Sequence, residues 1–154
     1  MEFTLKSGRV LATNSDKTEI VFGAEGMSVA GYLIDFPGEY ERSGILVEAV
    51  EQQGGLVFHL KTEGVKIAYF DHEKFEATKE LVAFLGDVDV LVIRGSKEAA
   101  KSAEGIEARV VVPYGEGAQS FLAALGQNLE AAPKYKLKEA DLAGEVTKYV
   151  ALAA

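Results

Sequence analysis

The sequence predicts a layered fold of mixed α and β elements, a β-sandwich with helices on an outer face. Two observations carry that prediction. The first third alternates short apolar runs with turn residues, as antiparallel hairpins do, and the later part alternates helical stretches with continuous apolar runs, as βαβ units do. No repeat, low-complexity tract or linker interrupts the order, so a single domain over residues 1–154 is expected.

The elements follow in order. Phe3 to Leu5, Arg9 to Thr13, Thr18 to Phe22 and Ser28 to Asp35 read as strands, separated by Ser7-Gly8, Asn14-Ser15-Asp16 and a glycine-bounded turn from Gly23 to Gly26. Phe36-Pro37-Gly38-Glu39 reads as a loop, because proline fixes φ and glycine admits conformations other residues avoid. Gly44 to Val50, Leu56 to Lys61 and Val65 to Phe70 follow, the last two joined by a hairpin at Thr62-Glu63-Gly64. About seven strands thus precede any helix. Phe75, Leu81, Val82 and Leu85 recur at helical spacing and predict a helix from Glu73 to Leu85, capped by Asp71 at its start and Gly86 at its end. Val88 to Ile93 and Arg109 to Val112 are runs suited to strands buried on both faces. Ser96 to Ala103 and Gly117 to Leu125 read as helices, and Lys134 to Lys138 and Val146 to Leu152 as closing strands.

Composition removes several functions. No cysteine occurs, so thiolate nucleophiles, disulfides and cysteine zinc sites are excluded, and only two histidines, His59 and His72, remain for metal chemistry. A formal charge of -8 disfavours a phosphate backbone, so no nucleic-acid partner is expected. No apolar run approaches the roughly 18 residues of a membrane span, and Met-Glu-Phe-Thr-Leu does not begin like a secretory leader. A cytoplasmic protein with no membrane partner is the expectation. No serine lies in a G-x-S-x-G elbow, and Gly115-Glu116-Gly117 lacks the lysine and hydroxyl residue of a phosphate loop.

Three segments resemble a known family. Phe36-Pro37-Gly38-Glu39-Tyr40-Glu41-Arg42-Ser43-Gly44 is similar to the GPGEYE-x-x-G element of the lactonase-like branch of the metallo-β-lactamase superfamily. Val65 to His72, a helix and Gly86-Asp87-Val88-Asp89-Val90-Leu91 follow in that branch's order, and Glu107 to Gly115 resembles its P-x-x-V-I-P-M-H segment. The likeness extends from about Tyr32 to the end and implies a truncated metallo-β-lactamase-like sandwich. It also implies lost chemistry. The superfamily's H-x-H-x-D-H loop would fall between Thr18 and Asp35, where no histidine occurs, and the family's final histidine matches Gly115. The bridging aspartate matches Asp71 or, one position later, His72.

The residues alone lead to the same place, since a catalytic metal needs several converging ligands. On a continued strand Asp71 and His72 would point to opposite faces, and His59, sharing its side with Val57 and Lys61, reads as a half-exposed strand residue. Asp71 reads as a helix cap before it reads as a ligand. Asp87 and Asp89 are expected to satisfy backbone donors, and Glu39 and Glu41 to be solvated. The leading expectation is a non-catalytic protein with no cofactor and no metal, acting as a binding or oligomeric assembly module through a homo-oligomer or protein partner. A sheet face left bare by the missing segment, or a long antiparallel edge in the N-terminal hairpins, would provide the contact. The alternative is a residual hydrolase using zinc or manganese at Asp71 and His72, helped by His59 or Glu39. A third reading is a small-molecule site in a vestigial cleft of Asp71, His72, Tyr114 and Gly115, with Glu39 as a further candidate.

Overall fold

A computed structural model describes residues 1–23, 26–72 and 75–153. Among these residues nine strands precede the first helix: β1 (Glu2–Lys6), β2 (Arg9–Thr13), β3 (Glu19–Gly23), β4 (Gly26–Val29), β5 (Tyr32–Ile34), β6 (Gly38–Arg42), β7 (Ile45–Gln52), β8 (Gly55–Thr62) and β9 (Val65–Phe70). Then come α1 (Lys79–Leu85), β10 (Val90–Arg94), α2 (Lys97–Glu104), β11 (Val110–Tyr114), α3 (Ala118–Ala124), β12 (Lys134–Lys136), α4 (Glu139–Ala143) and β13 (Lys148–Tyr149).

Two sheets form. The first has the order β12-β1-β2-β3-β4-β5 and is antiparallel throughout, as consecutive hairpins dictate. The second has the order β13-β11-β10-β9-β8-β7-β6, antiparallel from β6 to β9 and parallel from β9 through β13. The switch falls where the helices enter, because parallel neighbours need a crossover.

Alternation along the strands divides the apolar side chains into two cores. Phe3, Val10, Ile20, Phe22 and Met27 of the first sheet meet Val47, Phe58, Leu60, Tyr69, Val90 and Val112 of the second. The opposite face of the second sheet carries Val57, Ala68, Phe70, Leu91, Ile93 and Val111, which pack against Leu81 and Leu85 of α1, Ala99, Ala100 and Ala103 of α2, and Phe121 and Leu122 of α3. Every buried side chain of these three helices belongs to this second core, and α4 buries none.

Five sequence expectations change. The strand expected from Ser28 to Asp35 is two strands, because Ala30 and Gly31 both take positive φ (50° and 81°), the pairing of a tight two-residue hairpin. The loop expected at Phe36 to Glu39 gives way to an edge strand from Gly38. The helix expected from Glu73 starts instead at Lys79, capped by the Thr78 hydroxyl, which accepts from the Leu81 N–H at 3.2 Å; residues 73 and 74 lie outside the described residues. Phe75 is withdrawn from the helical stripe to stack on Phe70, their ring centres 4.0 Å apart, and Val82 is 39% exposed. The long N-terminal edge is also missing, since the first sheet ends on β12 and β5, three residues each.

Two glycines let the start of α3 lie against the end of β10. A Cβ on Gly95 would stand 2.7 Å from the Ala118 Cα, and one on Gly117 would stand 2.1 Å from the Gly95 carbonyl oxygen. Gly95→Ala should therefore push the start of α3 away and cost about 1–3 kcal/mol by urea unfolding, a cost typical of overpacking against backbone. An unchanged midpoint and slope would refute that close approach.

The candidate site at the ends of the parallel strands

In open sheets with parallel strands, ligand sites favour the carboxyl ends of those strands. Here those ends carry Asp71 and His72 after β9, Arg94 closing β10, and Tyr114 and Gly115 at the end of β11. Register aligns Arg94 with Tyr114 and Ile93 with Phe70.

At the centre lies a buried pair that sequence reasoning passed over. The Tyr69 hydroxyl meets the Tyr114 hydroxyl at 2.7 Å, and the two residues are 0% and 4% exposed. Tyr69 also stacks on Phe58 at 5.5 Å and meets the edge of Phe22 at 5.2 Å, so its ring joins both sheets. Burial, above all, raises its hydroxyl pKa far above the ordinary tyrosine value; Tyr114 and Asp71 add to the rise and Arg94 opposes it. Tyr69 is thus a neutral hydroxyl, unsuited to act as base or nucleophile.

Asp71 does not cap a helix. Its Oδ1 accepts from the Leu56 N–H at 2.9 Å and lies 3.2 Å from the His72 Nδ1, so it closes the β8–β9 pair at its end. The two side chains meet each other, contrary to the opposite faces expected of a continued strand, because β9 stops at Phe70 and the chain bends. His72 lies beside Phe70 and Phe75, each ring centre 6.2 Å away. It also covers Gly55, where a Cβ would come 2.2 Å from its Nδ1. Its Nε2 is buried and has no hydrogen-bond partner among the described residues.

Gly115 takes φ +90°, and the space where a side chain would begin is bordered by Arg94, with Cγ and Nε at 3.6 and 3.9 Å. Where the resemblance expects a metal-binding histidine, an arginine stem runs alongside. Glu39 lies elsewhere. Pairing places Glu39 opposite Glu48, Glu48 opposite His59 and His59 opposite Ala68, so Glu39 shares a row with His59, about 14 Å across three strands from β9.

His59 is half-buried, its ring meeting Phe84 edge-on at 6.3 Å, and its Nε2 is buried without a partner among the described residues. Burial lowers its pKa from 6.5, Glu48 pulls the other way and Lys66 reinforces the drop. Asp89 does satisfy a backbone donor, the Lys66 N–H at 2.9 Å.

The sequence contained one usable signal for the missed pair. Tyr69 and Tyr114 are the polar-tipped residues of the buried runs Ile67 to Phe70 and Val110 to Tyr114, and Arg94 ends the strand between them. A hydroxyl inside a run buried on both faces requires a partner, and only position along the strands could have matched the two.

Two outcomes are expected. Tyr69→Phe should destabilise the protein by about 0.5–1.5 kcal/mol by removing a buried hydroxyl–hydroxyl hydrogen bond, and Tyr69→Phe/Tyr114→Phe should lose less than the sum of the single changes. Additive losses in urea unfolding would mean the hydroxyls do not interact. Because the folded protein holds His59 below its unfolded pKa, the unfolded chain binds the extra proton first. Stability is therefore full above pH 6.5 and declines as pH falls through that value toward the lower folded pKa. His59→Leu should flatten this decline in melting temperature between about pH 7 and 5. An equal slope in both proteins would rule out His59 as its source.

Among the described residues, no three His, Asp or Glu side chains come together as a metal cluster requires. Asp71 and His72 are tied to each other and to the β8 strand, His59 lies on the helix-facing side beside Phe84, and position 115 offers no donor. The residues present do not fit the family's metal centre. No helix among the described residues is long and apolar enough to cross a membrane.

No family model matches the chain, and no curated protein does. A solved structure does, from a Thermotoga maritima protein provisionally described as a Zn-dependent hydrolase of the metallo-beta-lactamase superfamily. The two share 21% identity, with a TM-score of 0.71 over 99% of this chain and 98% of the other. That coverage pairs the two chains almost end to end, with the two-sheet core and its one-sided helices included. The chain has the metallo-β-lactamase fold.

Proposed function

We propose that this chain is a non-catalytic form of the metallo-β-lactamase fold, kept as a binding or oligomeric assembly module in the cytoplasm. One observation supports the reading above the others. The ends of β9, β10 and β11, where ligands would have to converge, are taken up by side chains already committed to one another: Tyr69 with Tyr114, and Asp71 with Leu56 and His72.

A residual hydrolase would need Asp71 and His72 to release those partners and recruit a third donor. Among the described residues, what favours that reading is the His72 Nε2, buried with no partner there. It is one donor, enclosed by Phe70, Phe75 and Gly55. A small-molecule site in the same place would have to open the tyrosine pair.

Protein purified without chelators should contain far less than one equivalent of zinc or manganese by inductively coupled plasma mass spectrometry. Its melting temperature should be the same with and without EDTA. A full equivalent of metal, lost in His72→Ala, would put the hydrolase first.

A further inference from the structure

Among the described residues the second sheet ends on β6, and this edge borders a flank of the sandwich that other elements leave uncovered. The opposite flank has a cover: Tyr135, Leu137 and Leu142 pack on the first core, and a bridge from Ala132 to Leu152 ties down the end of the chain. Beside β6, Tyr32 and Phe36 are 42% and 72% exposed. The Tyr32 ring lies 6.4 Å from that of Tyr40 and 4.3 Å beneath the Arg42 guanidinium, and the Tyr40 hydroxyl donates to the Phe36 carbonyl at 2.6 Å. Together these rings make an aromatic shelf between the edges of the two sheets.

The turn after β6 fixes which backbone groups its edge leaves open. Arg42 pairs with Ile45 across Ser43 and Gly44, both at positive φ (52° and 79°), a two-residue hairpin whose flanking pair exchanges both of its hydrogen bonds. Alternation then commits Arg42, Tyr40 and Gly38 to β7 and turns the N–H and C=O of Glu39 and Glu41 outward. The exposed side chains of Glu39 and Glu41 lie on the helix-facing side, where β7 adds Leu46 and Glu48 and neither strand presents a cation. The Glu41 Oε1 accepts from the Gly44 N–H at 2.9 Å, which holds that carboxylate near the turn. Lys61, in the same row, is two strands in from Glu41, about 10 Å away.

We propose that β6 takes an added strand from another protein, an extended segment with lysine or arginine at two alternate positions and an apolar residue between them. The two cations stand opposite Glu39 and Glu41 and exchange backbone bonds with them, and the apolar residue lies beside Tyr40 over the aromatic shelf. The net charge of -8 favours the same kind of partner. This chain's own Lys134-Tyr135-Lys136 in β12 has that spacing, but Ala132 just before it bonds to the end of the chain through both of its backbone groups, with Ala151 and Ala153, so the outer side is occupied where β12 begins. The inference rests on the binding-module reading above and gives it a class of partner.

Fluorescence anisotropy with three labelled peptides tests it: one alternating lysine and valine, one of the same composition with its lysines in a block, and one alternating glutamate and valine. The alternating lysine peptide should bind about tenfold more tightly than the block peptide and weaken as salt rises. Methylating the backbone nitrogens of its lysines should abolish binding. Glu39→Lys/Glu41→Lys, with wild-type circular dichroism, should lose about tenfold for the lysine peptide and acquire binding of the glutamate peptide. Glu39→Lys alone, which leaves the bond from Gly44 to Glu41 in place, should lose part of that affinity. Equal binding of the two lysine peptides, or affinity indifferent to the methyl groups or to Glu39→Lys, would overturn the added strand and reduce the effect to general attraction between charges. An oligomer of the protein alone that the lysine peptide dissolves would overturn the foreign partner in favour of β12 of another copy. No binding at all would overturn the inference and leave the non-catalytic reading standing, since metal content decides that separately.

Discussion

A tyrosine hydroxyl at the centre of an apolar sandwich is the constraint around which this structure is arranged. The Tyr69 ring is in contact with Phe22 from one sheet and Phe58 from the other, so it cannot turn its oxygen to solvent without opening the core. A buried hydroxyl left alone costs about 1–3 kcal/mol, and Tyr114, two strands away, meets it. That bond fixes the carboxyl ends of β9 and β11 on either side of β10, and Gly95 and Gly117 allow α3 to begin against β10's end. The same neighbourhood in a metal-binding relative would need carboxylates and imidazoles turned toward open space. Here two tyrosines bonded to each other fill it.

The order of elements was legible because each strand and helix carries its own local signal. Hairpins were marked by Ser7-Gly8 and Glu63-Gly64, whose positive φ values the turns require. The Gly86 stop of α1 could likewise be read from a single residue. Boundaries shifted where a nearer competitor took a role: Thr78 capped α1 in place of Asp71, whose carboxylate was drawn to the Leu56 N–H. The split at Ala30 was hidden because alanine is not a turn marker, and it takes positive φ here only because Gly31 follows.

The candidate site was half legible. Asp71, His72, Tyr114 and Gly115 were all placed at the ends of the parallel strands, which follows from their position after apolar runs. Glu39 was not, because it occupies a row with Glu48 and His59 that only strand pairing reveals. Tyr69 and Arg94 escaped notice because their significance lies in a partner 45 residues away and in a glycine on the next strand. Information of that kind is long-range, and no local window contains it.

The edge strand β6 bears on how this molecule can associate with its own kind. Its outer side shows Glu39 and Glu41, with Tyr40 between them turned toward the core. A second copy joining this edge antiparallel about Tyr40 would set Glu39 against Glu41 twice, an electrostatic penalty on each new rung. β5, the corresponding edge of the first sheet, offers only three residues. Lateral addition, which has no natural end and leads to fibres, is thus discouraged at both of these edges, and association through a face, which closes after two copies, is left open.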